Sequence, residues 1–345
     1  KVTGTKKPGA TAFLTAFALK LTTTMKNYRW GILGIGKIAE KFAADLALLP
    51  QARLTAAASR SEDRAADFAR RHDAPLHFGS YEALAACPDV DIIYIATPHV
   101  AHCEAAMMCL EQGKAVLCEK PLAMNASQVE RMMDASARHN AFLMEAVWTR
   151  FMPPTLTMLE LIQSNAIGQV TAVKADFGFA ARYDPEGRLF NPALGGGALL
   201  DIGIYPAFLA LLVLGAPTRI RAASAFGPSG VDEDTGMMFE YDNGALAHLH
   251  ANIRYDTPIE AQIYGTTGHI HLHSRWHHAR ELTLHRKGST PEVFRFDYPG
   301  LGYQFEAEEV MRCLDAGLRE SPLLPLHFSL SLAKLLDQTA LETVR

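Results

Sequence analysis

From Tyr28 to Glu145, short apolar runs alternate with longer stretches whose apolar residues recur at helical spacing. The runs Arg29–Leu33, Leu54–Ala58, Ile92–Ala96, Ala115–Cys118 and Phe142–Met144 read as strands. Between them, Lys37–Leu49, Ser61–His72, His99–Gln112 and Asn125–His139 read as helices. Ser61 is placed to cap one of these helices, and Gly113 to end another. Fully apolar strands alternating with helices predict a parallel sheet covered on both faces.

The pattern changes after Pro153-Pro154. Gln169–Phe179 predicts a strand and Gly197–Leu214 a helix. From Thr218 to Asp297 several strand-like runs are punctuated by Gly227-Pro228, Asp242-Asn243-Gly244, Gly265 and Gly268. Asn243-Gly244, between Met237–Tyr241 and Ala245–Asn252, predicts a hairpin. Helices return at Gln304–Ala316 and Leu326–Thr343. The expected architecture is α/β: an N-terminal Rossmann-type doubly wound parallel sheet, then an α+β domain with a large, mostly antiparallel open sheet. The boundaries are 25–146 for the dinucleotide-binding domain and 147–345 for the substrate-binding and oligomerisation domain. Residues 1–24 carry four Lys, no Arg and no acid, and read as an appended extension or a leader.

Composition adds exclusions. Of 345 residues, 49% are apolar and 20% charged, an ordinary globular balance that excludes disordered and coiled-coil chains. The net charge of −4 gives no basic surface for nucleic acid. The longest near-apolar run, Ala207–Leu214, is too short to cross a bilayer. Five cysteines without CxxC spacing fit a reducing, cytoplasmic setting.

Candidate chemistry lies at the carboxyl ends of the first strands, where open α/β sheets bind ligands. Gly34-Ile35-Gly36-Lys37-Ile38-Ala39 is a GxGxxA turn between a strand and a helix. It would bring bare backbone and free helix N–H groups to a pyrophosphate. The next strand ends in Ser59-Arg60, with no carboxylate for a ribose 2′-OH. A hydroxyl and a guanidinium there favour NADP over NAD. Thr97-Pro98-His99 and Glu119-Lys120-Pro121 end two further strands. Gly195-Gly196-Gly197 opens a helix with Asp201 and Tyr205 at i, i+4. A lysine and a tyrosine facing a nicotinamide could move a proton while hydride moves, with the ammonium lowering the tyrosine's pKa.

These motifs, with Ala96-Thr97-Pro98 and Gly195-Gly196-Gly197-Ala198-Leu199-Leu200-Asp201, resemble the Gfo/Idh/MocA oxidoreductases from about Met25 to the C-terminus. Glu145-Ala146-Val147-Trp148-Thr149-Arg150-Phe151 and Asp201-Ile202-Gly203-Ile204-Tyr205 look most like the dihydrodiol dehydrogenase and glucose–fructose oxidoreductase branch. The resemblance implies that Tyr205 is the proton donor or acceptor, that Lys120 assists it, and that Asp201 orients the substrate or Lys120. Trp148 and Arg150 would lie at the substrate pocket. Thr97, Pro98, His99, His102 and Glu119 would border the cofactor. It also implies that the second sheet forms a subunit interface, giving a homodimer or higher homo-oligomer.

The expected activity is NADP-dependent hydride transfer to or from an alcohol or hemiacetal carbon of a sugar or cyclic trans-diol. Two alternatives stay open: an NADP-sensing regulator of the same fold, and an oxidoreductase with tightly bound, recycled NADP. Eight of the fourteen histidines fall between His248 and His285, on shared strand faces. Strand alternation explains that spacing, no acidic ligand pattern accompanies it, and no metal is expected. Trp276, in the same stretch, is a candidate second aromatic wall of the substrate pocket.

Overall fold

A computed structural model describes residues 26–343; the extension expected at residues 1–24 lies outside them. Six parallel strands form the first sheet: β1 (Tyr28–Leu33), β2 (Ala52–Ala58), β3 (Leu76–Phe78), β4 (Ile92–Ile95), β5 (Ala115–Glu119) and β6 (Leu143–Ala146). Their order is β3-β2-β1-β4-β5-β6. β4 lies inside the sheet with helices on both faces, so all four of its residues, Ile-Ile-Tyr-Ile, are buried.

The helices of this layer are α1 (Lys37–Leu46), α2 (Glu62–Arg71), α3 (Tyr81–Ala85), α4 (His102–Glu111) and α5 (Ala126–His139). Side-chain caps set their starts: Ser61 accepts from Arg64 N, Ser80 from Ala83 N, and Asn125 from Gln128 N. Asn140, at φ +50°, ends α5 in the left-handed region. β3 and α3 are too short to leave a periodic signature, and the sequence reading passed over both.

The second half opens with α6 (Pro153–Gln163), whose paired prolines stand at the helix start, where no backbone N–H is needed. The change of pattern after Pro153-Pro154 thus falls at a helix start that the sequence pattern alone does not predict. The second sheet contains β7 (Val170–Gly178), β8 (Arg219–Phe226), β9 (Asp232–Glu240), β10 (Leu246–Asn252), β11 (Ala261–Gly265), β12 (Gly268–Leu272), β13 (Glu281–Arg286) and β14 (Glu292–Arg295). Its order is β14-β13-β12-β11-β7-β10-β9-β8, antiparallel except for β7 against β10. The hairpin between β9 and β10 turns at Asn243-Gly244, with Gly244 at φ +79° and Asn243 accepting from Ala245 N.

One face of this sheet packs on α7 (Ile204–Leu214) and α9 (Leu326–Thr343). Val173, Met237, Phe239, Leu249 and Ile263 meet Phe208 and Leu332 there, in a core continuous with Trp30, Phe42 and Tyr94 of the first sheet. The alternate positions Lys174, Arg221, Met238 and His248 point to the other face, which no element among the described residues covers. α9 also packs on α5, and α8 (Tyr303–Asp315) on α1, so the last two helices join both halves.

The helical run Pro192–Leu214 is long and apolar enough to cross a membrane, contrary to the reading of the sequence. Most of it is buried inside the protein and it carries the buried Asp201, so it is the core helix of this fold.

Candidate active site

The turn after β1 shows why its glycines are glycines. Gly34 has φ +93°, and a Cβ there would sit 2.9 Å from the backbone of Ala96 and Thr97. Gly36 precedes α1, and a Cβ on it would meet nothing within 4 Å. A tight strand–helix crossing therefore stands beside an open approach to the first N–H groups of α1. Thr97, at the end of β4, has a buried hydroxyl with no partner among the described residues. At the end of β2, Ser59 is buried and Arg60 is exposed. Arg64, one turn into α2, donates to the Ile35 carbonyl of the Gly-rich turn over 2.7 Å, adding a cation that sequence reasoning did not single out.

Lys120 follows β5 and reaches across to the second half. Its Nζ donates to the Asp201 carbonyl at 2.5 Å and lies 3.3 Å from Asp201 Oδ1. The same oxygen takes Arg188 Nη1 at 2.7 Å and stands 3.9 Å from His99 Nε2. Burial alone would raise the Asp201 pKa, but Lys120 and Arg188 outweigh it and hold the carboxyl well below the usual carboxylate range. His99 is pushed down to about 3, first by burial and then by Lys120, so it is a neutral ring; its Nδ1 contacts the Gly195 carbonyl.

Asp201 sits in a π-type turn, Leu199–Gly203, that leads straight into α7 and its Tyr205. Asp232 accepts from Leu199 N at 2.7 Å and fixes the entry to that turn. The expected i, i+4 pair therefore survives the wider turn: Lys120 touches Asp201 and lies 5.1 Å from the centroid of the Tyr205 ring. Trp148 Nε1 donates to the Tyr205 hydroxyl at 3.0 Å.

The Tyr205 pKa departs from expectation. Burial, then the Glu119 charge, raise it far above the ordinary phenol value. The ammonium faces the ring and not the oxygen, so it does not produce the lowering that was expected. Tyr205 is a protonated phenol in this state.

Comparison with known proteins agrees with this geometry. Residues 28–147 match the model of an oxidoreductase family with an NAD-binding Rossmann fold, GFO_IDH_MocA, and residues 155–271 match the GFO/IDH/MocA C-terminal domain. The chain belongs to the Gfo/Idh/MocA oxidoreductase family.

Relatives named trans-1,2-dihydrobenzene-1,2-diol dehydrogenase are 39% identical in Danio rerio and 36% in Homo sapiens, each over 90% of this chain and 95% of the relative. Among solved structures, a 3-ketoreductase from Actinomadura kijaniata in complex with NADP and TDP-benzene is 25% identical at TM-score 0.84, over 92% of this chain and 98% of that one. An aldose-aldose oxidoreductase from Caulobacter crescentus, 22% identical over the same shares, has the same fold at TM-score 0.84. This Gfo/Idh/MocA chain is an oxidoreductase with a nicotinamide-nucleotide domain, and its relatives are dehydrogenases.

Within that family frame, not every expected residue reaches the site. Arg150 is buried elsewhere: its Nε donates to the Leu323 carbonyl over 2.7 Å, and the Glu309 charge offsets part of the burial of its guanidinium. The substrate role expected for it is not supported, because its guanidinium is used in packing the C-terminal segment. Trp276 donates to the Asp176 carbonyl and is buried at the sheet. Its neighbour His277 stacks on Phe177 at 4.4 Å and lies 5.3 Å from Tyr205. The short helical turn Trp276–His278 rotates one side chain into the core and the next toward the site.

His102 is fully buried, its ring bridging the Thr97 and Pro121 carbonyls. It ties the two strand-end loops together. Glu119 points inward, hydrogen-bonded to the Tyr94 hydroxyl, and burial raises its pKa. Trp148 stacks on Tyr303 at 4.2 Å. Arg188, Phe177, His277 and Tyr303 all escaped the sequence reading, because none lies in a motif or at a strand end of the first sheet.

Proposed function

We propose that this chain is an NADP-dependent dehydrogenase or reductase for a cyclic trans-diol or a sugar, acting at a secondary alcohol or hemiacetal carbon. The observation that carries the reading is the meeting of Lys120, Asp201 and Tyr205 at the carboxyl end of β5, in the sheet whose first strand ends at the Gly34–Gly36 turn. The names of the dihydrodiol dehydrogenase relatives support the substrate class. Residues 25–146 would hold the cofactor and 147–345 the substrate.

The cofactor fits the residues present: the open space over Gly36, the free Thr97 hydroxyl and the Arg60–Arg64 pair are what a phosphorylated dinucleotide needs. Ile35, Lys37, Ile38, Pro98 and His99 complete that border. When bound, the nicotinamide supplies or accepts the hydride. The chain's own residues handle the proton. Tyr205, protonated at rest, donates from its hydroxyl to a carbonyl oxygen in the reductive direction and takes the proton back in the oxidative one. Lys120, held by Asp201, offers its ammonium to the same substrate oxygen. Trp148 supports a phenolate through its Nε1–H. Trp148, His277 and Phe177 shut water out of one side of the site.

The test is NADP+ reduction followed at 340 nm with a trans-cyclohexanediol, D-xylose, D-glucose and an inositol, each repeated with NAD+. Turnover of the diol or a sugar with NADP+ is expected. Silence across this panel and in NADPH oxidation with the corresponding ketones, with NADPH binding intact, would overturn the reading in favour of a nucleotide sensor. The uncovered face of the second sheet supports a homodimer or higher homo-oligomer, which sedimentation would show. Five buried free thiols support a reducing, cytoplasmic setting.

A further inference from the structure

We propose that Glu260, His271 and His273 form a zinc site on the uncovered face of the second sheet. Strand register builds it. Gln262 pairs with His271 and Ala261 with Leu272, so Glu260 falls on the same face as both imidazoles. On the other side of β12, Thr283 pairs with His271.

One ligand atom from each of Glu260, His271 and His273 lies within 4.8 Å of the other two. Two donors on one tetrahedral zinc ion stand about 3.4 Å apart. His271 Nε2 and Glu260 Oε2, at 3.0 Å, are close to that already, and only His273 must turn. Its ring is 4.1 Å from that of His271, its Nε2 contacts Thr283 Oγ1 at 2.8 Å, and Glu281 Oε1 is 3.6 Å away. Thr283 and Glu281 can therefore orient His273 or fill an outer position.

Two imidazoles and a carboxylate are donors zinc takes, and three protein ligands leave one position open. The acid is what the sequence pattern lacked: Glu260 is eleven residues from His271 in the chain and becomes a neighbour only through the β11–β12 pairing. The site lies on the far side of the sheet from α7 and Tyr205, so its occupancy concerns the sheet and not hydride transfer.

The experiment uses the full, untagged chain, stripped with a chelator and titrated with Zn2+ alone against a chromophoric competitor. One zinc per chain is expected, with micromolar or tighter affinity. His271→Ala, His273→Ala and Glu260→Gln should each weaken it at least about tenfold. His248→Ala, exposed on the same face but outside the cluster, should leave it unchanged. Thermal melting of each metal-free variant checks that it folds, and zinc should raise the melting point of the parent but not of His271→Ala. Substoichiometric binding, or binding that survives the His271→Ala/His273→Ala double variant or falls equally with His248→Ala, would overturn the proposal.

Discussion

Asp201→Asn is the substitution that most directly tests the candidate site. It keeps the side-chain shape and removes one charge from a buried cluster. Arg188 Nη1 at 2.7 Å and Lys120 Nζ at 3.3 Å both rely on that charge. The two cations do not lose equally. The Arg188 side chain is 57% exposed and can turn to water, whereas that of Lys120 is 12% exposed and cannot.

Breaking a buried ion pair from one side costs about 3–5 kcal/mol. Lys120 keeps its 2.5 Å bond to the Asp201 carbonyl, and a hydrogen bond to a charged group is worth about 1.5–3 kcal/mol. The net expectation is a stability loss of about 2 kcal/mol, read by urea unfolding. Lys120 loses its side-chain anchor, so kcat should fall about a hundredfold, equivalent to about 2.7 kcal/mol in the barrier. Adding Arg188→Gln should cost little more in either measurement, because Arg188 has already been released. Stability lost with kcat held within about threefold would refute the reasoning. It would make Asp201 a core residue and leave Lys120 fixed by the main chain alone.

Three other outcomes follow from the geometry. Arg60→Glu should lower kcat/KM with NADP+ by about ten- to a hundredfold, the worth of one or two charge-assisted hydrogen bonds, and spare NAD+; an equal loss with both cofactors would show that Arg60 does not read the 2′-phosphate. Trp148→Phe keeps an aromatic ring against Tyr303 but removes the donor to Tyr205, so in carbonyl reduction with NADPH the alkaline limb of the kcat–pH profile should move up by less than about one unit; a change in KM alone would assign Trp148 to substrate packing. Glu145 is pushed up to about 7 by burial, so between its ordinary value near 4.5 and that pH the folded state holds a proton the unfolded state lacks. Stability should therefore fall as pH rises through this window, by up to about 1.4 kcal/mol per unit. Glu145→Gln should flatten that slope in urea unfolding at pH 5 and 7.5, and a parallel slope in the variant would remove Glu145 as its source.

The first sheet was legible in the sequence because each of its longer strands carries its own evidence. Strands buried on both faces must be apolar throughout, and their helices begin at side-chain caps that local sequence displays. The same logic singles out Gly34, Lys120 and Asp201 as candidates, since ligand chemistry in such sheets gathers at strand ends and helix starts. What escaped is what no local signal encodes. Arg188 reaches Asp201 from an irregular loop thirteen residues upstream. His277 was passed over for Trp276 because the larger aromatic drew attention, while a single turn of helix decides which of two adjacent side chains faces Tyr205.

The Tyr205 pKa failed for a different reason. Sequence proximity of motifs predicts that an ammonium lies near a phenol, but not whether it faces the oxygen or the ring. Here the ring faces Lys120 at 5.1 Å, and burial first, then the Glu119 and Asp201 charges, raise the hydroxyl's pKa. Both act to hold the proton on. Under the proposed function the resting site is therefore arranged as an acid, and the oxidative direction would require the oxygen to gain support as substrate enters. Of the groups in place, Trp148 already donates to that oxygen, and Lys120 is the cation near enough to reorient toward it.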